Sequence, residues 1–184
     1  MSAISDRYRK IAAGFTTQVD NVPDDRWSSP SPCEDWSARD VVGHLIGAHN
    51  MFLGFIDKSY EPSVTVDDDP LAAWLEARDT MAAALEDPDT ARAVYENPMG
   101  KSVFEESANR FVTGDVLIHT WDLARAVGSD VTLDADEVSI VLAEYKTLGD
   151  NLRSPRVFGP EVPLPDDASE QDRLIAFTGR DPRS

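Results

Sequence analysis

The chain has 184 residues, 41% hydrophobic and 28% charged, which suits one globular unit able to bury a core without disulfides or a structural metal. Seventeen basic against 34 acidic residues leave a net charge of −17, which argues against nucleic acid and anionic membrane as partners, most of the acid reading as solvated surface. One cysteine, Cys33, excludes an internal disulfide framework, no apolar run approaches the roughly 20 residues of a membrane span, and Met1 to Lys10 is polar and charged, so the expectation is a soluble cytoplasmic protein.

Helical spacing dominates, and almost nothing alternates with the strand period. The first helix is expected from about Ile4 to Val19, with Ile4, Tyr8, Ile11, Ala12, Phe15 and Val19 on one stripe. A loop dense in proline and serine follows, bracketed by Trp27 and Trp36, which should pin it to the helices. Ser37 with Asp40 reads as a capping box for a second helix, Ala38 to about Ile56, with Val41, Leu45, Phe52 and Phe55 buried. Residues Pro62 to Asp69 form a linker, and Pro70 opens a third helix, Leu71 to about Leu85, that Asp87-Pro88 stops. Residues Arg92 to Val103, around Asn97-Pro98 and Gly100, read as a helix tail or an irregular connection. A long fourth helix, about Phe104 to Val127, ends at Gly128, and Asp134 with Glu137 starts a fifth that runs to about Leu148. The remainder, with Pro155, Pro160, Pro163, Pro165 and Pro182, should wrap the helices as irregular structure, broken by a short helix at about Gln171 to Thr178. The expectation is one all-α domain over 1–184, with a helical core at about 4–150 and a Pro-rich tail at 151–184.

Three histidines occur: His44, His49 and His119. Asp115 and His119 stand four apart on the fourth helix, so their side chains rise about 40° apart in projection and can converge on one ion. Spacing alone favours a helix-face hydrogen bond or ion pair for them. His44 lies on the stretch of the second helix that can sit beside the fourth. His49, five residues on and about 140° around, reads as a surface or bundle-edge residue. Asp122, three after His119, would orient a ligand or pair with Arg125. Trp121 reads as packing, Cys33 as an inert lone thiol, and Asn109 and Arg110 as solvated helix surface.

The string Asp115-Val-Leu-Ile-His119-Thr-Trp121-Asp122-Leu-Ala-Arg125-Ala-Val-Gly128, with Trp36-Ser-Ala-Arg-Asp-Val-Val-Gly-His44-Leu, resembles the actinobacterial branch of the DinB-like superfamily. That branch contains the metal-binding domain of mycothiol-dependent maleylpyruvate isomerase. The ending, Asp167-Ala-Ser-Glu-Gln171-Asp-Arg-Leu174 through Thr178-Gly179-Arg180-Asp181-Pro182, looks like the tail of one uncharacterised subfamily. The resemblance covers nearly the whole chain and implies a four-helix bundle, with one His ligand from the second helix and a Glu-x-x-x-His or His-x-x-x-His pair from a later one. His44 matches the first ligand and His119 the last, while Asp115 departs from the pattern, one methylene shorter than Glu. Two histidines and a carboxylate leave a coordination position open, which suits catalytic zinc better than structural zinc.

Family relatives bind a small thiol, mycothiol or bacillithiol, at the metal and attack an electrophile with it, so the resemblance implies a thiol-dependent S-transferase or isomerase, with zinc and a thiol cosubstrate. About 35 residues follow the fifth helix, too few for the isomerase's further C-terminal domain, so a reaction other than maleylpyruvate isomerisation is expected. The alternative is a non-catalytic metal-binding or stress-response module, with a homodimer compatible with either. Hydrolysis by metal-activated water ranks third, because Asp122 alone offers itself as a general base.

Overall fold

A computed structural model of the chain describes residues 2–97, 100–153 and 157–183; Pro98 and Pro155, which the sequence marked as breakers, lie outside them. The long helices fall where apolar spacing and caps place them. Helix α1 spans Ala3–Asp20 and buries Tyr8, Ile11, Ala12, Phe15 and Val19. Helix α2 spans Ala38–Gly54 and opens on the expected box: the Ser37 hydroxyl accepts from the Asp40 amide at 3.3 Å, and the Asp40 carboxylate accepts from the Ser37 amide at 2.8 Å. It ends short of Ile56, leaving Phe55 beyond the helix and 42% exposed instead of buried. Helix α3 spans Pro70–Glu86 behind an Asp69 cap that accepts from Ala72 N at 2.9 Å. Asp87 then ends α3 and caps a single further turn, α4, Pro88–Ala91.

Residues 94–97 and 100–103 are neither a helix tail nor irregular. Strands β1, Val94–Asn97, and β2, Gly100–Val103, pair antiparallel from Val94↔Val103 to Asn97↔Gly100. Each is four residues long and only Tyr95 is buried, so the apolar pattern is too short to register as alternation. The next rod runs through α5, Phe104–Ser107, a π-helical stretch at Ala108–Val112, and α6, Thr113–Ala126. Helix α7, Ala135–Leu148, follows the Asp134 cap, and α8, Glu170–Phe177, interrupts the tail.

Helices α1, α2, α3 and α6 pack as a ring in which α1 and α2 each touch both α3 and α6. Trp74 of α3 is fully buried edge-on against Phe15 of α1, and its indole N–H donates to Thr16 at 2.8 Å, so the largest core ring leaves no unpaired polar atom. The fold is mostly helical but is not a simple four-helix bundle: α7 and α8 add a further pair, the hairpin a small sheet, and the tail buries Leu174, Ile175, Ala176 and Phe177. Among the described residues no helix is long and apolar enough to cross a membrane.

Candidate metal centre

The packing of α2 against α6 brings His44 to the Asp115–His119 face. His44 Nε2 lies 2.9 Å from Asp115 Oδ2, and His119 Nε2 lies 3.3 Å from Asp115 Oδ1. The three donor atoms fall within 4.8 Å of one another. Tetrahedral zinc with ligands at about 2.0–2.1 Å separates neighbouring donors by roughly 3.3 Å; the two imidazoles face different oxygens of Asp115, so a single-oxygen carboxylate ligand requires a small turn of that side chain. Two imidazole nitrogens and one carboxylate oxygen are a donor set suited to a divalent ion, and the carboxylate supplies its charge. His119 is buried, while the side chains of His44 and Asp115 keep 35% and 25% of their exposure, so the open side of the cluster faces outward past those two.

The loop before α2 roofs the cluster. The Trp36 ring sits 4.8 Å from His44 and stacks on His119 at 5.9 Å, shielding the imidazoles on one side. Trp36 and Cys33 also line an open cleft of about 520 Å³ formed by that loop. Behind His119 stands Asp122, with no exposed surface and one oxygen 2.8 Å from His119 Nδ1. At that distance each group favours the charged form of the other. Asp122 thus stands beside His119, and its salt-bridge partner is Arg180, whose Nε donates to Oδ1 at 2.7 Å and Oδ2 at 3.0 Å. Arg125 pairs instead with Asp130 at 2.9 Å.

The charges explain one another. Burial pushes the Asp115 carboxyl up, but the imidazoles of His119 and His44 outweigh it and hold Asp115 below the usual carboxylate range. Burial pushes His119 down, and Asp115 and Asp122 reverse that and raise it. Asp122 is likewise held low by Arg180 and His119 against the cost of burial.

His49 does not belong here, nor at a surface. It is fully buried, its Nδ1 2.6 Å from the Leu45 carbonyl and its Nε2 2.8 Å from the Tyr8 hydroxyl, with Trp74 edge-on at 5.3 Å. Burial depresses it to about 4, so it is neutral, with Nδ1 donating to the carbonyl and Nε2 accepting from Tyr8. Trp121 is buried packing, Arg110 is exposed, and Asn109 is engaged, its side-chain oxygen accepting from Arg7 at 2.8 Å. Sequence reasoning missed the roofing contact of Trp36, the placing of Cys33 beside Asp122 and the entire role of Arg180; 58 residues separate Arg180 from Asp122, and no local spacing encodes that contact.

The sequence profile of the mycothiol maleylpyruvate isomerase N-terminal domain matches residues 8–124, more than half the chain and the span that holds His44, Asp115, His119 and Asp122. Two uncharacterized proteins of Mycobacterium tuberculosis, from strains CDC 1551 and H37Rv, are each 29% identical over 178 residues, covering 94% of this chain and 95% of their own length. No solved structure matches the chain. On the family match and the helices that carry it, the chain belongs to the mycothiol maleylpyruvate isomerase N-terminal domain family of DinB-like proteins.

Proposed function

We propose that His44, Asp115 and His119 hold one divalent ion, most fittingly zinc, and that the protein uses it to activate a small thiol, of the mycothiol or bacillithiol type, for transfer to an electrophile. The observation that carries the reading is the convergence of two imidazoles and one carboxylate from two helices, with donor atoms within 4.8 Å and an outward-facing side. A zinc ion bound there would lower the pKa of a coordinated thiol until it ionises near neutral pH.

The chain's own residues would supply the rest. Asp115 offsets part of the ion's charge and leaves more room than Glu would, because its carboxylate stays closer to α6. Asp122 fixes the His119 ring from behind, so Nε2 keeps facing Asp115. Trp36 excludes water from one side of the imidazoles, and the cleft beside Cys33 and Trp36 offers a thiol its approach. The net charge of −17 favours a small-molecule partner over nucleic acid or an anionic bilayer.

The test is metal analysis of protein purified without a His tag, then addition of mycothiol to the cobalt-loaded form while its absorption is followed. One ion per chain and a new thiolate-to-cobalt band on adding thiol are expected. Bound metal that no thiol perturbs would favour the non-catalytic metal-binding module, and protein that takes up no divalent metal would remove the reading.

A further inference from the structure

A second set of ligand-type groups lies directly behind the first: Cys33, His119 and Asp122 also bring their donor atoms within 4.8 Å of one another. Soft sulfur, imidazole and carboxylate would suit zinc as well as the outer set does. Yet a cation is already there. The Arg180 guanidinium donates through Nε to both Asp122 oxygens, at 2.7 and 3.0 Å, and through Nη2 to Cys33 Sγ at 3.2 Å. Its remaining nitrogen, Nη1, is directed to the Thr178 carbonyl at 3.4 Å, so each of its three nitrogens has a partner within the protein. The Arg180 side chain is 10% exposed, and Asp122 is fully buried.

The backbone is built to deliver it. Gly179 has φ +88°, which L side chains rarely adopt, and an added Cβ would lie 2.9 Å from the Gly159 Cα. The chain leaving α8 therefore turns sharply against the 159 segment and sends Arg180 back to α6. Arg180 lies outside residues 8–124, so the tail supplies a part that the matched domain does not contain.

We propose that Arg180 is a resident cation of the Cys33–His119–Asp122 cluster, closing it to a second metal ion and holding Asp122 where it fixes the His119 ring for the first. Arg180 is thus a positioning residue, and the second half of its role rests on the metal reading given above. Guanidinium is always charged in proteins and fork-shaped, so it holds a buried carboxylate and a sulfur at once without depending on pH. Without it, Asp122 would be a buried charge left with the Cys33 thiol, which donates to its Oδ2 at 3.5 Å, and with His119 Nδ1 at 2.8 Å, an arrangement that attracts a metal ion.

Cobalt(II) binding tests both parts, because thiolate-to-cobalt charge transfer in the near ultraviolet reports sulfur ligation separately from uptake. Metal-free wild type is expected to bind one equivalent without that band. Arg180→Ala should gain a second equivalent with the band, His119 releasing its ring proton to solvent and bridging the two ions through Nε2 and Nδ1, and Arg180→Ala/Cys33→Ser should lose both again. Arg180→Lys keeps the charge and should stay at one equivalent. The outer ion should bind roughly 10–100-fold more weakly in Arg180→Ala. A sulfur band in wild type, or a folded Arg180→Ala that gains neither equivalent nor band, would overturn the exclusion of a second ion. If Arg180→Ala does not fold, Arg180→Gln, which keeps most of the packing, is read in the same way. Wild type that binds no cobalt while Arg180→Ala acquires the sulfur band would defeat the outer metal centre and leave the exclusion standing.

Discussion

Asp115 stands between two imidazoles on a side chain only one methylene long, and its charge is what the rest of the cluster is arranged around. Asp115→Asn keeps the shape and removes that charge, so divalent-metal affinity should fall by at least the roughly 10–100-fold typical of changes behind a metal ligand. Asp122→Asn should lose less, since it acts through His119; competition with a chromophoric chelator measures both. Equal affinity in wild type and Asp115→Asn would take Asp115 out of the ligand set, and a larger loss at Asp122 would exchange the two roles. His49 makes a different prediction. Its folded value of about 4 lies below the ordinary 6.5, so the unfolded chain binds the extra proton between those values. The stability that the neutral ring contributes is therefore whole above about pH 6.5 and is lost as pH falls toward 4, on the order of 3 kcal/mol across the window. Urea midpoints of wild type should drop between pH 7 and pH 5 by more than those of His49→Gln; equal pH dependence would refute the assignment. That Asp115 and His119 share a face was readable because i, i+4 geometry is local, whereas His44 lies 71 residues from Asp115 and was legible only through the family resemblance. His49 was not legible, because what buries it comes from Tyr8 on α1 and Trp74 on α3.

Among the elements, the helices were legible wherever a cap and an apolar stripe agreed, as at Ser37 and Asp134, and the boundaries of α7 came out as the spacing indicates. The hairpin was not, because two four-residue strands with one buried residue between them carry no usable period. The tail was legible as a short helix among prolines but not as a part of the site, since Arg180 meets Asp122 only through tertiary packing. That makes Gly179 the sharpest test at this scale. Gly179→Ala must place a Cβ at positive φ and within 2.9 Å of the Gly159 backbone, so one of the two segments has to move. A cost of about 1–3 kcal/mol is expected from the strained conformation alone. The urea midpoint should fall, and metal affinity should fall with it, because Arg180 is displaced from Asp122. Gly14, which has open space around its Cβ position and no unusual backbone angle, is the control: Gly14→Ala on α1 should be neutral or stabilising. An unperturbed Gly179→Ala would mean that the crossing of the two segments is not tight.

For the whole molecule, the question is what an ion bound at the candidate centre would do for the fold. The core that runs through α1, α2, α3 and α6 is closed by Phe15, Leu45, Trp74, Met81, Ile118 and Leu123, all fully buried and none dependent on an ion. A chain of this size buries enough surface to fold without a metal, and the candidate ligands sit at one edge of that core with two of the three partly exposed. Chelation should therefore leave the far-ultraviolet circular dichroism unchanged at room temperature. It should still lower the melting temperature, because any ligand that binds only the folded state stabilises it by mass action. With free ion at about 100 times its Kd that linkage is about 2.7 kcal/mol, or roughly 5–10 °C for a domain of this length. His119→Ala should melt at one temperature with or without added metal, and His44→Ala should behave in the same way, both remaining helical. If chelation or either substitution instead removed the helical signal, the ion would be a structural element of the fold, and the open coordination position would lose its catalytic reading.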